Sequence, residues 1–129
     1  MAPHAIPDDI RRFIMLRIPS IPYLEALLLM RENPSQAWNS HGLAQRLYLP
    51  IPDCDALLEQ LHKAGVAAPA PGMAGSCRYA PAEPRLAGML DQLARVYARN
   101  LVEVSTLIHS KTNKKAQLFA DAFVWRKDK

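Results

Sequence analysis

The placement of proline is the feature that most limits how this chain of 129 residues can fold. The chain has eleven prolines against five glycines, and ten of the prolines lie in "APHAIP", "IPSIP", "LPIP", "PAPG" and "APAEP". Because proline fixes φ and lacks a backbone N–H, each cluster marks the end of one element or the start of the next. The sequence therefore predicts several short elements up to Pro84, and room for long helices only after it.

The first two segments between prolines have the apolar spacing of helices. "PDDIRRFIMLRI" predicts a short helix that begins at Pro7, with Asp8 and Asp9 placed favourably at its positive N-terminal end. Ser20 is the expected N-cap of a second helix, "YLEALLLMRE", which is apolar on nearly every side. Such a helix is expected at the centre of the fold, covered by others.

Residues 40–80 predict two further helices and a hairpin. Ser40 is the expected N-cap of the first of these helices, and after the turn "YLP" a second helix covers residues 51–64, followed by Gly65 as a C-cap glycine. Two strands, 66–69 and 76–80, enclose a glycine- and proline-containing tip, and Trp38 either starts a short strand or packs over the core. The buried stripe of the second helix is expected to be Ile51, Cys54, Leu57, Leu58 and Leu61.

The last third of the chain predicts one long helix from Pro84 to about residue 108. We expect "HSKTN" to end it and Thr112 or Asn113 to cap a final helix, "KKAQLFADAFVW". The long helix has a heptad-like seam that can pack within the chain or against a second copy, and we expect it to do both. Asn100 either sets the register of that seam or is solvated. The seam residues are Leu86, Leu90, Leu93, Tyr97, Asn100, Val104 and Leu107.

The net charge of +4 is confined to the C-terminal third. Residues 1–34 and 35–82 are each neutral, whereas residues 83–129 contain nine Lys/Arg against five Asp/Glu. This distribution indicates either an anionic partner near the C-terminus or a solvated basic tail.

Three stretches in residues 37–80 resemble the winged helix-turn-helix of small bacterial transcription regulators of the MarR-like type. They are "HGLAQRLYL", "ALLEQLHKAGV" and the hairpin end "CRYAP". The flanking "IPSIPYLEALLLMRENP" and "LVEVSTLIHSKTNKKAQLFADAF" are similar to a narrower group of small proteobacterial proteins. The expected fold class is mainly α (α+β): a winged helix-turn-helix over residues 19–82, with a β-hairpin wing. An N-terminal helical arm (1–18) and a C-terminal dimerisation region with a basic tail (83–129) complete it.

The resemblance implies a homodimeric transcription regulator that binds double-stranded DNA, with one helix in the major groove and the wing beside it. It further implies that Pro52, Asp53, Asp55, Glu59 and His62 of the fourth helix, and Met73 and Ser76 of the wing, face the DNA. The residues expected to contact DNA are Ser40, His41, Arg46, Tyr48, Gln60, Lys63 and Arg78.

Charge argues for an alternative. DNA affinity comes mainly from Lys and Arg beside phosphates, yet the helix expected in the groove contains three carboxylates. The alternative is a winged-helix interaction module, in which the acidic helix docks a basic protein partner without sequence-specific DNA binding.

Other classes of function have little support in the sequence. No catalytic arrangement of Ser, His, Cys or Asp and no phosphate-binding glycine loop occurs, so we expect no enzyme and no cofactor. The four histidines and two cysteines lack metal-ligand spacing. No apolar run approaches the roughly 20 residues of a membrane span, and the cysteines are expected to be reduced, so we expect a cytoplasmic protein without membrane contact.

Overall fold

A computed structural model describes the backbone of residues 6–127 and the side chains of residues 6–114. The elements, in order, are α1 (Asp8–Arg17), α2 (Ile21–Glu32), α3 (Ser40–Leu47), α4 (Ile51–Lys63), β1 (Ala67–Pro69), β2 (Cys77–Tyr79), α5 (Pro84–Arg99) and α6 (Leu101–Lys127). The described chain is thus mainly helical, with one small antiparallel sheet, which confirms the expected α+β class at this level.

The chain forms two compact units. The terminal unit consists of Met1–Ile21 and Arg95–Lys129, and the hairpin unit consists of Pro22–Ala94. The Lys and Arg residues of the C-terminal third belong to the terminal unit, except Arg85. Of these, the side chains of Lys115, Arg126, Lys127 and Lys129 lie outside the described residues.

In the terminal unit, α1 packs against α6. Ile10 and Ile14 are the buried residues of α1, at the helical spacing seen in the sequence. The ammonium group of Lys111 on α6 donates hydrogen bonds to the carbonyl oxygens of Ile14 (3.1 Å) and Ile18 (2.7 Å). A cation is favoured at the negative C-terminal end of a helix. The Ile14 carbonyl also accepts from the backbone N–H of Ile18 at 3.1 Å, so Lys111 adds a second, charged bond there.

In the hairpin unit, α2 is central, as its composition predicted. Leu24, Ala26 and Met30 have no exposed surface, and Tyr23 and Leu27 are also buried. These residues occupy more than one side of the helix, so α2 is covered by neighbours on several faces.

The hairpin of β1 and β2 is antiparallel, with Ala67 opposite Tyr79 and Pro69 opposite Cys77. Trp38 extends the sheet through a bridge to Cys77, with N–O distances of 2.7 and 2.8 Å, and its side chain is buried. Trp38 therefore both pairs with the hairpin strand and packs in the core, as the two alternatives from the sequence had it. The strands begin and end within one residue of the predicted limits.

The N-cap prediction for α3 was wrong. Asn39 is the N-cap, since its side chain accepts a hydrogen bond from the backbone N–H of Gly42 at 2.8 Å. Ser40 is the first helical residue, and its hydroxyl donates to the carboxylate of Asp55 on α4. Asn39 and Ser40 are both good capping residues, and the contact with α4 determines which of them caps.

The end of α4 follows the prediction closely, whereas one residue of its buried stripe does not. Gly65 has φ 78° and donates to the carbonyl of His62, while Val66 donates to that of Leu61, which is the Schellman pattern. Cys54, Leu57, Leu58 and Leu61 are buried. Ile51 is 39% exposed, because it lies in the first turn, beside the turn between α3 and α4.

The predicted single helix over residues 84–108 was wrong, as was the break at "HSKTN". The helix is interrupted at Asn100, and α6 then continues through residues 109–113 without a new cap. The Asn100 side chain donates to the carbonyl of Val96 (3.3 Å), and asparagine competes in this way with regular backbone bonding. Thr112 donates to the carbonyl of Ile108 (3.1 Å), which is compatible with a helix interior.

Among the described residues, no single helix is long and apolar enough to cross a membrane, and only α1 and α2 taken together reach that length and composition.

Candidate interaction surface

The packing of α3 on α4 positions the candidate residues. Leu43 of α3 and Leu61 of α4 are fully buried, and the Ser40–Asp55 hydrogen bond joins the two helices at the surface. The carboxylate of Asp55 is thereby partly satisfied within the protein. This contact holds the outward face of α4 in a defined orientation relative to α3.

The turn between α3 and α4 places an aromatic side chain in solvent. Tyr48 is the C-cap of α3, with φ 58° and ψ 45°, and its backbone N–H donates to the carbonyl of Ala44 at 2.8 Å. Among the described residues it is the only non-glycine with a positive φ. Its side chain is 92% exposed. The backbone bond therefore closes the helix, while the ring contributes almost nothing to the core.

The outward face of α4 combines small apolar residues with charged ones. Pro52, Ala56, Glu59 and Lys63 follow at intervals of four, three and four, so they form one line opposite the buried stripe. All four are exposed. Exposed acidic and polar residues flank this line, namely Asp53 and Gln60 on one side and Asp55 and His62 on the other. We call these eight residues the α4 face.

Carboxylates on the α4 face have few basic partners. In the part of the chain whose side chains are described, neither Asp53 nor Glu59 forms an ion pair. The nearby Arg46 has its guanidinium carbon 5.7 Å from the centre of the Trp38 ring, a cation–π distance. Arg46 is nevertheless exposed as a whole. The face therefore has a net negative charge, with three carboxylates against one lysine.

The hairpin contributes little charge. Arg78 is exposed on the sheet face opposite Cys77 and Tyr79. Met73, near the tip, is 55% exposed, whereas Ser76 is 7% exposed. The expectation that Ser76 faces a partner was therefore wrong, because its position inside the hairpin covers it.

A separate polar cluster connects the hairpin to α2 and α5. The Arg31 Nε donates to the Asp91 carboxylate at 3.0 Å. The hydroxyl of Tyr79 and the Nε1 of Trp38 are buried, and neither has a hydrogen-bond partner within the described part of the chain. Burial raises the pKa of Tyr79; the charge of Asp91 raises it further and that of Arg31 lowers it. The neutral phenol is thus the favoured form in the folded protein.

Both thiols are also kept neutral. Burial raises the pKa of Cys54, and the neighbouring carboxylates of Asp53 and Asp55 raise it further. Burial raises the pKa of Cys77. Both cysteines are free. Neither thiol has the lowered pKa of a nucleophile, and the described residues contain no group of three potential metal ligands.

The net charges of the two units have opposite signs. The hairpin unit has five Lys/Arg against seven Asp/Glu, a net charge of −2. The terminal unit has eleven against five, a net charge of +6. The sequence segment 35–82 is neutral. The hairpin unit also includes four acidic residues outside that segment, against two arginines, and these make it acidic.

The residues expected to contact DNA are nearly all accessible. Ser40 is half-buried, and its hydroxyl is hydrogen-bonded to Asp55. Among the described side chains, no hydrogen bond or ion pair joins Arg78 to the candidate residues on α3 and α4. The exposed ones are His41, Arg46, Tyr48, Gln60, Lys63 and Arg78.

The predicted dimer seam is divided between two helices and partly buried within the chain. Leu90, Leu93 and Val104 have no exposed surface, so they are not available to a second copy in this conformation. Leu86, Tyr97, Asn100 and Leu107 are half-buried. Among the described side chains of the terminal unit, the large apolar residues that are exposed are instead Met15, Leu16, Leu101 and Val102. Their signal in the sequence is weak, because consecutive apolar residues cannot all face one core.

Comparison with known proteins gives no match for this chain: no protein-family model, no curated protein and no solved structure corresponds to it.

Proposed function

We propose that the hairpin unit is a winged helix of the type that the sequence resembles in MarR-like regulators. Three helices followed by a two-stranded hairpin support this assignment. The exposed α4 corresponds to the recognition helix, and the hairpin, with positive φ at Gly72 and Gly75 in its tip, corresponds to the wing.

We infer that the protein is a regulatory winged-helix module that docks another protein through the α4 face. The observation that carries this inference is electrostatic. The unit has a net charge of −2, and Asp53, Asp55 and Glu59 are exposed on the helix that would have to enter a DNA groove. Affinity for DNA depends on basic side chains that neutralise phosphates, and carboxylates at that position oppose it. The same carboxylates favour a basic protein surface.

A homodimeric DNA-binding transcription regulator is the second candidate, and one observation favours it. Arg46, Gln60, Lys63 and Arg78 are exposed, and the terminal unit supplies a net charge of +6. In that case the basic terminal unit provides the phosphate contacts. Either function is proposed for the cytoplasm, where the two free cysteines stay reduced.

Self-association is proposed through the terminal unit rather than through the buried part of the predicted seam. Leu101 and Val102 are 54% and 69% exposed, respectively, at the start of α6. Replacing both with serine is expected to convert a dimer to a folded monomer, as measured by sedimentation velocity. An unchanged dimer mass in that variant excludes these two residues from the interface.

Binding to DNA separates the two candidate functions. We expect no binding by fluorescence anisotropy, at about 0.15 M salt, to random duplex DNA or to the DNA upstream of the gene. In a variant carrying Asp53→Asn and Glu59→Gln, weak binding is expected to emerge at low salt, because repulsion is removed. Tight binding of the wild type to the upstream DNA, with a steep loss as salt rises, would instead establish the DNA-binding regulator.

A further inference from the structure

We propose that Tyr48 is the anchor of the docking surface, and that its partner is a protein segment carrying Arg or Lys beside an apolar patch. This inference rests on the proposed docking function and adds to it the residue that supplies the contact and the chemistry of the partner.

The backbone at Tyr48 gives the first reason. A helix that ends in a left-handed residue normally uses glycine or asparagine there, because a Cβ clashes with the following carbonyl in that conformation. Tyr48 occupies it with φ 58°. Local stability would favour another residue at this position, and strained positions of this kind occur often at functional sites.

The exposure of the ring gives the second reason. The side chain is 92% exposed, and its hydroxyl has no protein partner among the described residues. It therefore offers the fold no packing that compensates for the backbone cost. Tyrosine is one of the residues enriched at interface hot spots, because it supplies a large rigid apolar surface with a polar end.

The neighbours of Tyr48 specify the partner. Pro50, Ile51 and Pro52 are exposed and apolar, and they lie after Leu49 in the turn and in the first turn of α4. Asp53 comes next, also exposed and without an ion pair among the described side chains. An arginine or lysine of the partner can pair with this carboxylate or lie over the tyrosine ring in a cation–π contact. The acidic surroundings do not suit the phosphates of a nucleic acid.

The test uses the whole protein and a synthetic amphipathic helical peptide of leucine, arginine and lysine at about 0.15 M salt. Anisotropy gives Kd, and amide chemical shifts locate the contact. We expect the shifts to centre on Tyr48, Ile51 and Asp53, and Tyr48→Ala to weaken binding about tenfold. Tyr48→Phe should keep the affinity, since it keeps the ring. Glu25→Gln, which removes an exposed carboxylate on α2, should leave Kd unchanged.

The possible outcomes distinguish the two proposals. If Asp53→Asn with Glu59→Gln abolishes binding while Tyr48→Ala does not, Tyr48 is not the anchor, and the docking function stands. If the peptide does not bind, or binds with shifts away from α4, both proposals are wrong. If duplex DNA shifts the resonances of Tyr48 and Asp53 and the peptide does not, the partner is a nucleic acid, and both are again overturned.

Discussion

Replacing Tyr48 with glycine is expected to stabilise the protein, although it removes a large side chain. The left-handed conformation costs a residue with a Cβ roughly 1–2 kcal/mol, and glycine avoids that cost. Glycine loses roughly 0.5–1 kcal/mol more than other residues to backbone entropy on folding. Because the ring is 92% exposed, its removal costs almost no buried apolar surface. The net expectation is a gain of about 0.5–1 kcal/mol in the free energy of unfolding.

Urea denaturation measures this gain directly. Circular dichroism follows all helices, and tryptophan fluorescence includes the signal of Trp38, which is buried in the hairpin unit. The midpoint should rise with an unchanged m-value, and Tm should increase by about 2–8 °C. Tyr48→Ala is the matched control, since it removes the ring but keeps the Cβ in the left-handed conformation.

The comparison of the two variants can refute the reasoning. If Tyr48→Gly is no more stable than Tyr48→Ala, the left-handed conformation imposes no measurable cost. If both variants are much less stable than the wild type, the ring packs on the protein after all. A glycine variant that folds more stably but binds the basic peptide less tightly is the combination that the docking proposal requires.

Four further variants have outcomes that follow from the described geometry. Gly65→Ala should lower the free energy of unfolding by about 1 kcal/mol, because φ is 78° at this position. Gly88→Ala within α5 should raise the free energy of unfolding by roughly 0.5–1 kcal/mol, because nothing lies within 4 Å of an added Cβ. Both are measured by urea denaturation. Lys111→Met should destabilise the terminal unit by about 1–3 kcal/mol, since it removes two charged hydrogen bonds to α1, and hydrogen exchange at the end of α1 should speed up. The pKa of the Cys54 thiol is raised in the folded protein, so the thiol ionises more readily once the chain unfolds. The free energy of unfolding should therefore fall as pH rises above 9.0, the ordinary pKa of a cysteine thiol. Cys54→Ala should make this fall with pH less steep, as measured by denaturation curves at several pH values.

Elements with a complete local signal could be predicted from the sequence. The end of α4 is one case: the apolar residues stop at Leu61, basic residues follow, and Gly65 takes the positive φ that few other residues tolerate. The start of α5 at Pro84 is another. The exposure of the α4 carboxylates could likewise be predicted from the sequence, because they lie between the residues of the buried stripe at helical spacing.

The elements that the sequence left open depend on contacts between distant segments. Ser40 and Asn39 are both residue types that commonly cap a helix, so the local sequence does not show which of them caps α3. The hydrogen bond from Ser40 to Asp55 on α4 leaves Asn39 as the N-cap. The break at Asn100 cannot be seen in an apolar repeat that runs continuously through it.

The sequence by itself determined where helices can form, because proline, capping residues and apolar spacing act within a few residues of one another. Tertiary structure decided which apolar residues are buried and which stay exposed: Leu93 and Val104 are inaccessible, while Leu101 and Val102 face solvent. It also placed Tyr48 outside the core in a left-handed turn. Burial is a property of the whole packed unit, and no local pattern contains the partners that cover a side chain.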